Sequence, residues 1–378
     1  MIFLLLGSSI LMIFLMDLPN PIHGMSNVNL AVLNKANELG LKPRVINTVP
    51  SYAARLFNTR LWSLFKIAHT LYCYAHLFLL SFFNIKGVVY RPINGGAGQV
   101  YDLLYILLCR LFLNKIYIHH HSFNYLNDKS MLFFALNKAA GPSAVHVVLG
   151  ERMGELLTKL YGIENKNIKV VSNLSLFGSK SIAGSSQDSE QVVLGHLANL
   201  CIEKGVGVFI DVCRALKVMN VDFKAKVAGP FADDTARNTV LMAAEEFPEI
   251  EYLGPLYARE KEDFYQSIDC FVFPSMYKNE AEPLVLYEAA LTGGYLVGSR
   301  RGCMQDVITR LSGSSIDEGS EMVELIVQAI ITKVENKGLS SQARSDRVES
   351  FQVERNVAQA ALTGLLADME KYELPKSR

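Results

Sequence analysis

Strand-like apolar runs alternate with helix-like segments along almost the whole chain, and the alternation is interrupted once. "LMIFLM" (11–16), "GVVYRPI" (87–93), "NKIYIHHHSF" (114–123), "AVHVVLG" (144–150) and "NIKVVSN" (167–173) are short and rich in β-branched and aromatic residues. Between them lie stretches with apolar residues at helical spacing, such as "VYDLLYILLCRLF" (100–112) and "ERMGELLTKLYG" (151–162). "VNLAVLNKANELGLKPRVINT" (28–48) reads as a helix capped by Gly40 and followed by a short strand. Parallel strands cannot be joined by a tight turn, so each such helix is a crossover within a parallel sheet. The break is "LFGSKSIAGSSQDSEQ" (176–191), rich in Ser and Gly, which reads as a linker. The pattern then restarts with "VVLGHLA", "DFKAKVAGP", "IEYLGPL", "DCFVFPS" and "YLVGS" as strands and "GVGVFIDVCRALK" and "DTARNTVLMAAEEF" as helices. The tail from about 345 to 372 is helical and ends in a polar "PKSR".

The expected fold is therefore α/β, with two doubly wound Rossmann-like domains facing a cleft. Residues 1–175 form the first, 176–191 the linker, and 192–344 the second, while 345–378 are a helical tail expected to pack back on the first. A length of 378 residues suits two domains. In such sheets ligands bind beyond the carboxyl ends of the strands.

Half of the residues are hydrophobic and a fifth charged, which argues for well-packed cores and against disorder. Lys+Arg and Asp+Glu balance at 37 each, so there is no electrostatic footprint for nucleic acid. The six cysteines form no CxxC pair, and several lie in apolar runs. They read as reduced core residues of a cytoplasmic protein. The N-terminal apolar run ends at Met16, about sixteen residues, short of the roughly 20 of a spanning helix. It has no basic n-region and no small-residue cleavage site, so a signal peptide fits poorly. Residues 1–11 have two open readings, an extension upstream of a start at Met12 or a weak membrane contact.

The chemistry concentrates in "SMYKNEAEPLVLYEAALTGG" (275–294). After the strand "DCFVFPS" the chain reaches a carboxyl edge, and "MYKNEAE" is a loop there. Pro283 suits the first turn of a helix with Glu282 near its N-cap, and Gly293-Gly294 stop it. The free N–H groups of Leu284 and Val285 at that end would attract a phosphate. Glu280 sits just outside the helix. Glu288 lies in an apolar segment where an unpaired charge is costly. Two readings follow. Glu288 holds a polar ligand such as a ribose diol, or it pairs with a nearby Lys or Tyr and Glu280 is a solvated loop residue. Spacing alone leaves both open.

Glu280 and Glu288 flank seven residues, and "EAEPLVLYE" resembles the E-x7-E motif of retaining GT-B glycosyltransferases, specifically family 4. The resemblance extends along most of the chain in the expected order. "DLPNPIHGMSNVN" is similar to that family's glycine loop, and "HHHSFNYL" to its histidine-containing acceptor loop. "GHLANLCIEKGV" resembles its phosphate-binding segment, "VAGPF" and "YLGPL" its next two strands, and "RGCMQDVI" the stretch after the motif. Three positions depart from the pattern. His23-Gly24-Met25 stands where Gly-Gly is common, His196 where an Arg follows the strand's end, and Glu282-Pro283 where Phe-Gly is usual.

The resemblance implies transfer of a sugar from a nucleotide-diphosphate donor to a saccharide acceptor, with retention of anomeric configuration and without a metal or other cofactor. It implies that Glu280 holds the donor sugar's hydroxyls and Glu288 the nucleotide ribose. Lys204, in "EKG", is the expected cation for the charge that builds on the leaving diphosphate; its plain alternative is a solvated helix-start lysine. His121 is placed at the donor–acceptor junction, or else caps or fills the core. Gly24 permits close backbone approach to a ligand, or is an ordinary loop glycine. His119 and His121 share one strand face and His120 takes the other, and no Asp, Glu or Cys lies nearby at ligand spacing, so no metal is expected. The two glutamates are not read as a glycosidase pair, because both are expected to face the donor.

The resemblance also implies a bacterial surface-polysaccharide pathway, a lipid-linked acceptor and a place at the inner face of the cytoplasmic membrane. "LWSLFKIAHTLYCYAHLFLLSFF" (61–83) is either an interfacial helix for such a contact or a core helix of the first domain. Two other functions stay open: a GT-B epimerase acting on the nucleotide sugar, and a catalytically silent binder of nucleotide sugar or glycan.

Overall fold

A computed structural model describes residues 11–21, 24–56, 59–83, 87–178 and 191–372. The upstream stretch 1–10, most of the expected linker (179–190), His23 of the glycine loop and the terminal "PKSR" lie outside the described residues. Among those described, the residues up to Leu176 together with those from Ala358 form one compact unit, and those from Phe177 to Val357 form another.

The first unit is built on a six-stranded sheet of β1 (Met12–Met16), β2 (Arg44–Asn47), β3 (Val88–Ile93), β4 (Lys115–His120), β5 (Val145–Val148) and β6 (Ile168–Val170). Its order is β2-β1-β3-β4-β5-β6, all parallel. β1 and β3 are buried at every residue, as sheets covered by helices on both faces require. Arg91 inside β3 is the exception in composition. Its guanidinium pairs with Asp102 at 2.6 Å and donates to Thr48 Oγ1 at 2.9 Å, so the buried charge is matched.

The second unit repeats the plan with β7 (Val192–Leu197), β8 (Phe223–Ala228), β9 (Ile250–Tyr252), β10 (Cys270–Phe273), β11 (Tyr295–Ser299) and β12 (Ser314–Ile316). The order is β12-β11-β10-β7-β8-β9, again all parallel. The chain starts in the middle at β7, winds outward to β9, then returns to β10 on the other side. The strand order therefore reverses between β7 and β10, and the loops leaving these two strands are neighbours at the carboxyl edge. β12 was not expected from the sequence.

The helix Arg60–Phe83 is a surface helix, not a core helix. Trp62, Cys73, Leu77 and Ser81 form its buried stripe, while Leu64, Ile67, Leu71, Phe78 and Phe82 fall on one exposed stripe at helical spacing. No helix among the described residues is long and apolar enough to cross a membrane. The residues read as a separate tail start inside a single helix, Ser341–Glu370.

Candidate functional site

The reversal between β7 and β10 brings together residues that are far apart in sequence. After β7 the chain makes a short turn, Ile202–Lys204, and enters the helix Val206–Val218 through Gly205. Gly205 has φ +89°, and a Cβ there would lie 2.3 Å from the Pro274 carbonyl oxygen. Only glycine lets the two loops approach this closely. The Met276 N–H donates to the Glu203 carbonyl at 2.8 Å and ties them together. As a result Lys204 Nζ reaches Glu280 Oε2 at 2.5 Å, across 76 residues of chain.

The Glu280 loop is held from several directions. Ser275 Oγ donates to the same Glu280 oxygen at 3.2 Å, and the Glu280 N–H closes a turn on the Tyr277 carbonyl at 3.0 Å. Ser299 Oγ donates to the Ser275 carbonyl at 2.5 Å. Gly302, with φ +56°, packs against the Glu280 carbonyl, and the Cys303 N–H donates to the Ala281 carbonyl. The Lys204 ammonium also stands over the Tyr277 ring at 4.7 Å. Glu280 is only 8% exposed, so it is not the solvated loop residue of the plain reading.

The helix that follows is Leu284–Leu291. Leu284 and Val285 are its first two residues, whose N–H groups have no acceptor within the helix. The expected cap is corrected: Pro283 is itself the N-cap, and the buried Glu282 carboxylate turns away to accept from Tyr287 Oη at 2.6 Å. Glu288 has both partners that spacing left open. Lys261 Nζ donates to its Oε1 at 2.7 Å and Tyr265 Oη to its Oε2 at 2.9 Å. Burial, and then the Glu288 charge, hold the Tyr265 phenol well above its ordinary range, so it stays protonated and donates.

His196 also requires a correction. The resemblance sets it where an Arg follows the strand's end, but it lies inside β7 and is fully buried. Its Nδ1–H donates to the Val272 carbonyl at 2.9 Å, and the ring stacks with Phe209 and Phe273. Burial pushes its pKa down to about 4, so at neutral pH the side chain is uncharged and turned into the core. It offers no cation to a phosphate.

Two of the expected site residues belong to the first unit. His121 follows β4 directly, with its ring 4.1 Å from that of His119 on the shared face. His120 takes the other face and contacts Tyr125 Oη at 2.8 Å and His146 Nδ1 at 3.0 Å. Burial pushes the pKa of His121 down to about 3, and its Nε2 has no hydrogen-bond partner among the described residues. A neutral imidazole with a spare nitrogen is a hydrogen-bonding group. Gly24 opens the helix Gly24–Glu38 at an exposed position where a Cβ would meet nothing within 4 Å. The protein itself does not demand glycine there.

Sequence reasoning missed Ser275, Tyr277, Lys261 and Tyr265 as parts of the site. Lys261 and Tyr265 carry one usable signal, a spacing of one helical turn, but their partner Glu288 lies on another helix.

Residues 179–346 match the family model of glycosyl transferases group 1. No curated protein sequence matches the chain. HepE from Anabaena, in complex with UDP, superposes with a TM-score of 0.66 at 15% identity, covering 95% of this chain and 100% of that one. A glycosyltransferase from Rickettsia africae superposes with a TM-score of 0.66 at 13% identity, covering 97% and 100%. The lipopolysaccharide outer core galactosyltransferase WaaB superposes with a TM-score of 0.65 at 16% identity, covering 94% and 98%. At these identities the shared property is the fold, which is GT-B: two parallel six-stranded sheets with flanking helices.

Proposed function

We propose that the protein is a retaining glycosyltransferase of the family 4 type, moving a hexose from a nucleoside-diphosphate sugar to a saccharide acceptor. The observation that carries this reading is the Lys204–Glu280 pair at the strand-order reversal, next to the N-terminus of the helix Leu284–Leu291. A diphosphate leaving group gains negative charge as its bond to the anomeric carbon breaks. Lys204 and the N–H groups of Leu284 and Val285 are the fixed positive groups that would receive it. Glu280, on its clamped loop, accepts hydrogen bonds from the sugar hydroxyls and shares Lys204 with the β-phosphate. Glu288 accepts from the ribose. His121, neutral, hydrogen-bonds the sugar, and Gly24 leaves the backbone open to it. The acceptor hydroxyl oxygen bonds to the anomeric carbon on the face from which the diphosphate departs, and its proton passes to the departing diphosphate. Lys204 takes the part a metal ion plays elsewhere, so the reaction is metal-independent.

UDP is the first nucleotide to test, because HepE is complexed with UDP and with UDP-glucose. The acceptor is a lipid-linked saccharide of bacterial surface-polysaccharide synthesis, met at the cytoplasmic face of the membrane. The exposed apolar stripe of the helix Arg60–Phe83 supports that contact. One observation favours a catalytically silent binder instead: the neutral, inward-facing His196 removes a side-chain cation from the phosphate region.

Purified protein should be screened against UDP-, GDP- and ADP-sugars by thermal shift and by release of nucleoside diphosphate. One donor should stabilise the protein and be turned over. Lys204→Ala and Glu280→Gln should each lower turnover by roughly 10²–10³-fold, the cost of removing one group that stabilises developing charge. Stabilisation with no release, even with lipid-linked acceptor added, would establish the silent binder. No response to any nucleotide would sink both the transferase and the silent binder of nucleotide sugar.

A further inference from the structure

The Glu288 carboxylate is held by a side-chain donor on each of its two oxygens. A carboxylate offers about four lone-pair sites, two on each oxygen. Lys261 takes one on Oε1 and Tyr265 one on Oε2, which leaves one site free on each oxygen. No further hydrogen bond to Glu288 is seen among the described residues. With a donor on each oxygen, the carboxylate plane cannot rotate without breaking one of them. The result is a fixed acceptor pair.

The two donors are themselves fixed. Lys261 and Tyr265 lie one turn apart on the helix Ala258–Gln266, so they present to one face. Tyr265 is buried, and Thr292 Oγ1 donates to its carbonyl at 2.9 Å. Arg344 then locks the two helices at their carboxyl ends. Its guanidinium donates to the Tyr265 and Gln266 carbonyls of one and to the Thr292 carbonyl of the other, at 3.3, 3.2 and 2.7 Å. A cation at two helix C-termini suits both dipoles.

We propose that Lys261 and Tyr265 are positioning residues that present Glu288 to both hydroxyls of a ribose, and so make the protein select ribonucleoside over 2′-deoxyribonucleoside diphosphates. The inference rests on the reading of Glu288 as the ribose contact. Two vicinal hydroxyls supply two donors for the two remaining lone-pair sites; a 2′-deoxyribose supplies one and leaves the other site unmatched. A carboxylate freed from its two holders could rotate to serve a single hydroxyl, so selectivity would fall while binding of the deoxy form would not.

The test is a set of dissociation constants by calorimetry for UDP, GDP and ADP and their 2′-deoxy counterparts, on the full chain. The wild type should prefer the ribose form of the nucleotide it binds by about tenfold or more, the worth of one hydrogen bond to a charged group. Tyr265→Phe and Lys261→Met should each cut that preference at least about threefold, a partial loss of the same term, by weakening the ribose form alone. Lys261→Arg should keep most of it. Glu288→Gln separates the two levels. If it leaves the preference unchanged, or if no nucleotide binds, the ribose reading of Glu288 fails and the inference with it. If Glu288→Gln abolishes the preference while Tyr265→Phe and Lys261→Met retain it, the ribose reading survives and the positioning role is overturned. Equal weakening of ribose and deoxyribose forms in the two variants would show a purely structural ion pair, and also overturns it.

Discussion

His196 folds neutral inside β7, with a pKa of about 4 against an ordinary 6.5. Between those values the unfolded chain binds a proton that the folded chain does not. The stability His196 contributes is therefore complete above pH 6.5 and is lost progressively as pH falls through 4. For a fully buried ring the difference amounts to about 3 kcal/mol. His196→Asn keeps an N–H near the Val272 carbonyl and does not titrate, so its stability should fall less between pH 6.5 and 4. Urea unfolding of both proteins across that range measures the difference, and parallel curves would refute the neutral assignment. The sequence did not reveal this role because "VVLGHLA" is apolar on both faces. With both faces of β7 buried, alternation does not say which way a residue points. Lys204 and Glu280 were singled out by the motifs the chain shares with the resembled family, since spacing alone left Glu280 open between a ligand contact and a solvated loop residue. Their direct contact was not legible, since it depends on the strand order.

At the scale of elements, the alternation of strand and helix predicted eleven of the twelve described strands, because central parallel strands must be continuous apolar runs. The short edge strand β12, with sequence Ser-Ser-Ile, lacks that pressure and escaped notice. The helix Arg60–Phe83 shows a different limit. Its composition is apolar on nearly every side, so hydrophobic periodicity could not separate a buried face from an exposed one. The structure separates them, with Ile67, Leu71 and Phe78 at 51%, 62% and 41% exposure on the outer stripe. A row of large apolar side chains facing water is costly unless something covers it. If the covering is a lipid surface, the protein should co-sediment with anionic vesicles. The triple variant Ile67→Asn, Leu71→Asn, Phe78→Asn should then stay in the supernatant with an unchanged circular dichroism spectrum. Wild-type protein that fails to bind vesicles would refute the membrane contact.

At the scale of the whole molecule, the two units share one helix, Ser341–Glu370, and its first half belongs to the structure of the second unit. Arg344 and Arg347 are both buried, and together they donate to the carbonyls of Tyr265, Gln266, Ile268, Thr292, Gly293 and Gly338. A reading of sequence that sets the tail apart at residue 345 separates Arg344 from Arg347, because nothing in "SSQARSDRVES" marks those arginines as buried. Their carbonyl acceptors lie at helix ends that only the fold assembles. Removing Arg344 leaves several buried carbonyls without donors, each worth about 1–3 kcal/mol. Arg344→Met should therefore lower the melting transition of the unit Phe177–Val357 and leave that of the other unit in place. Nucleotide binding identifies which transition is which, since a ligand raises only the transition of the unit that binds it. In scanning calorimetry the UDP-shifted transition and the Arg344-sensitive one should be the same. If Arg344→Met instead lowers only the transition that UDP does not move, either the nucleotide site is not in the second unit or the arginine does not hold it together, and the behaviour of Glu288→Gln in the same experiment tells which.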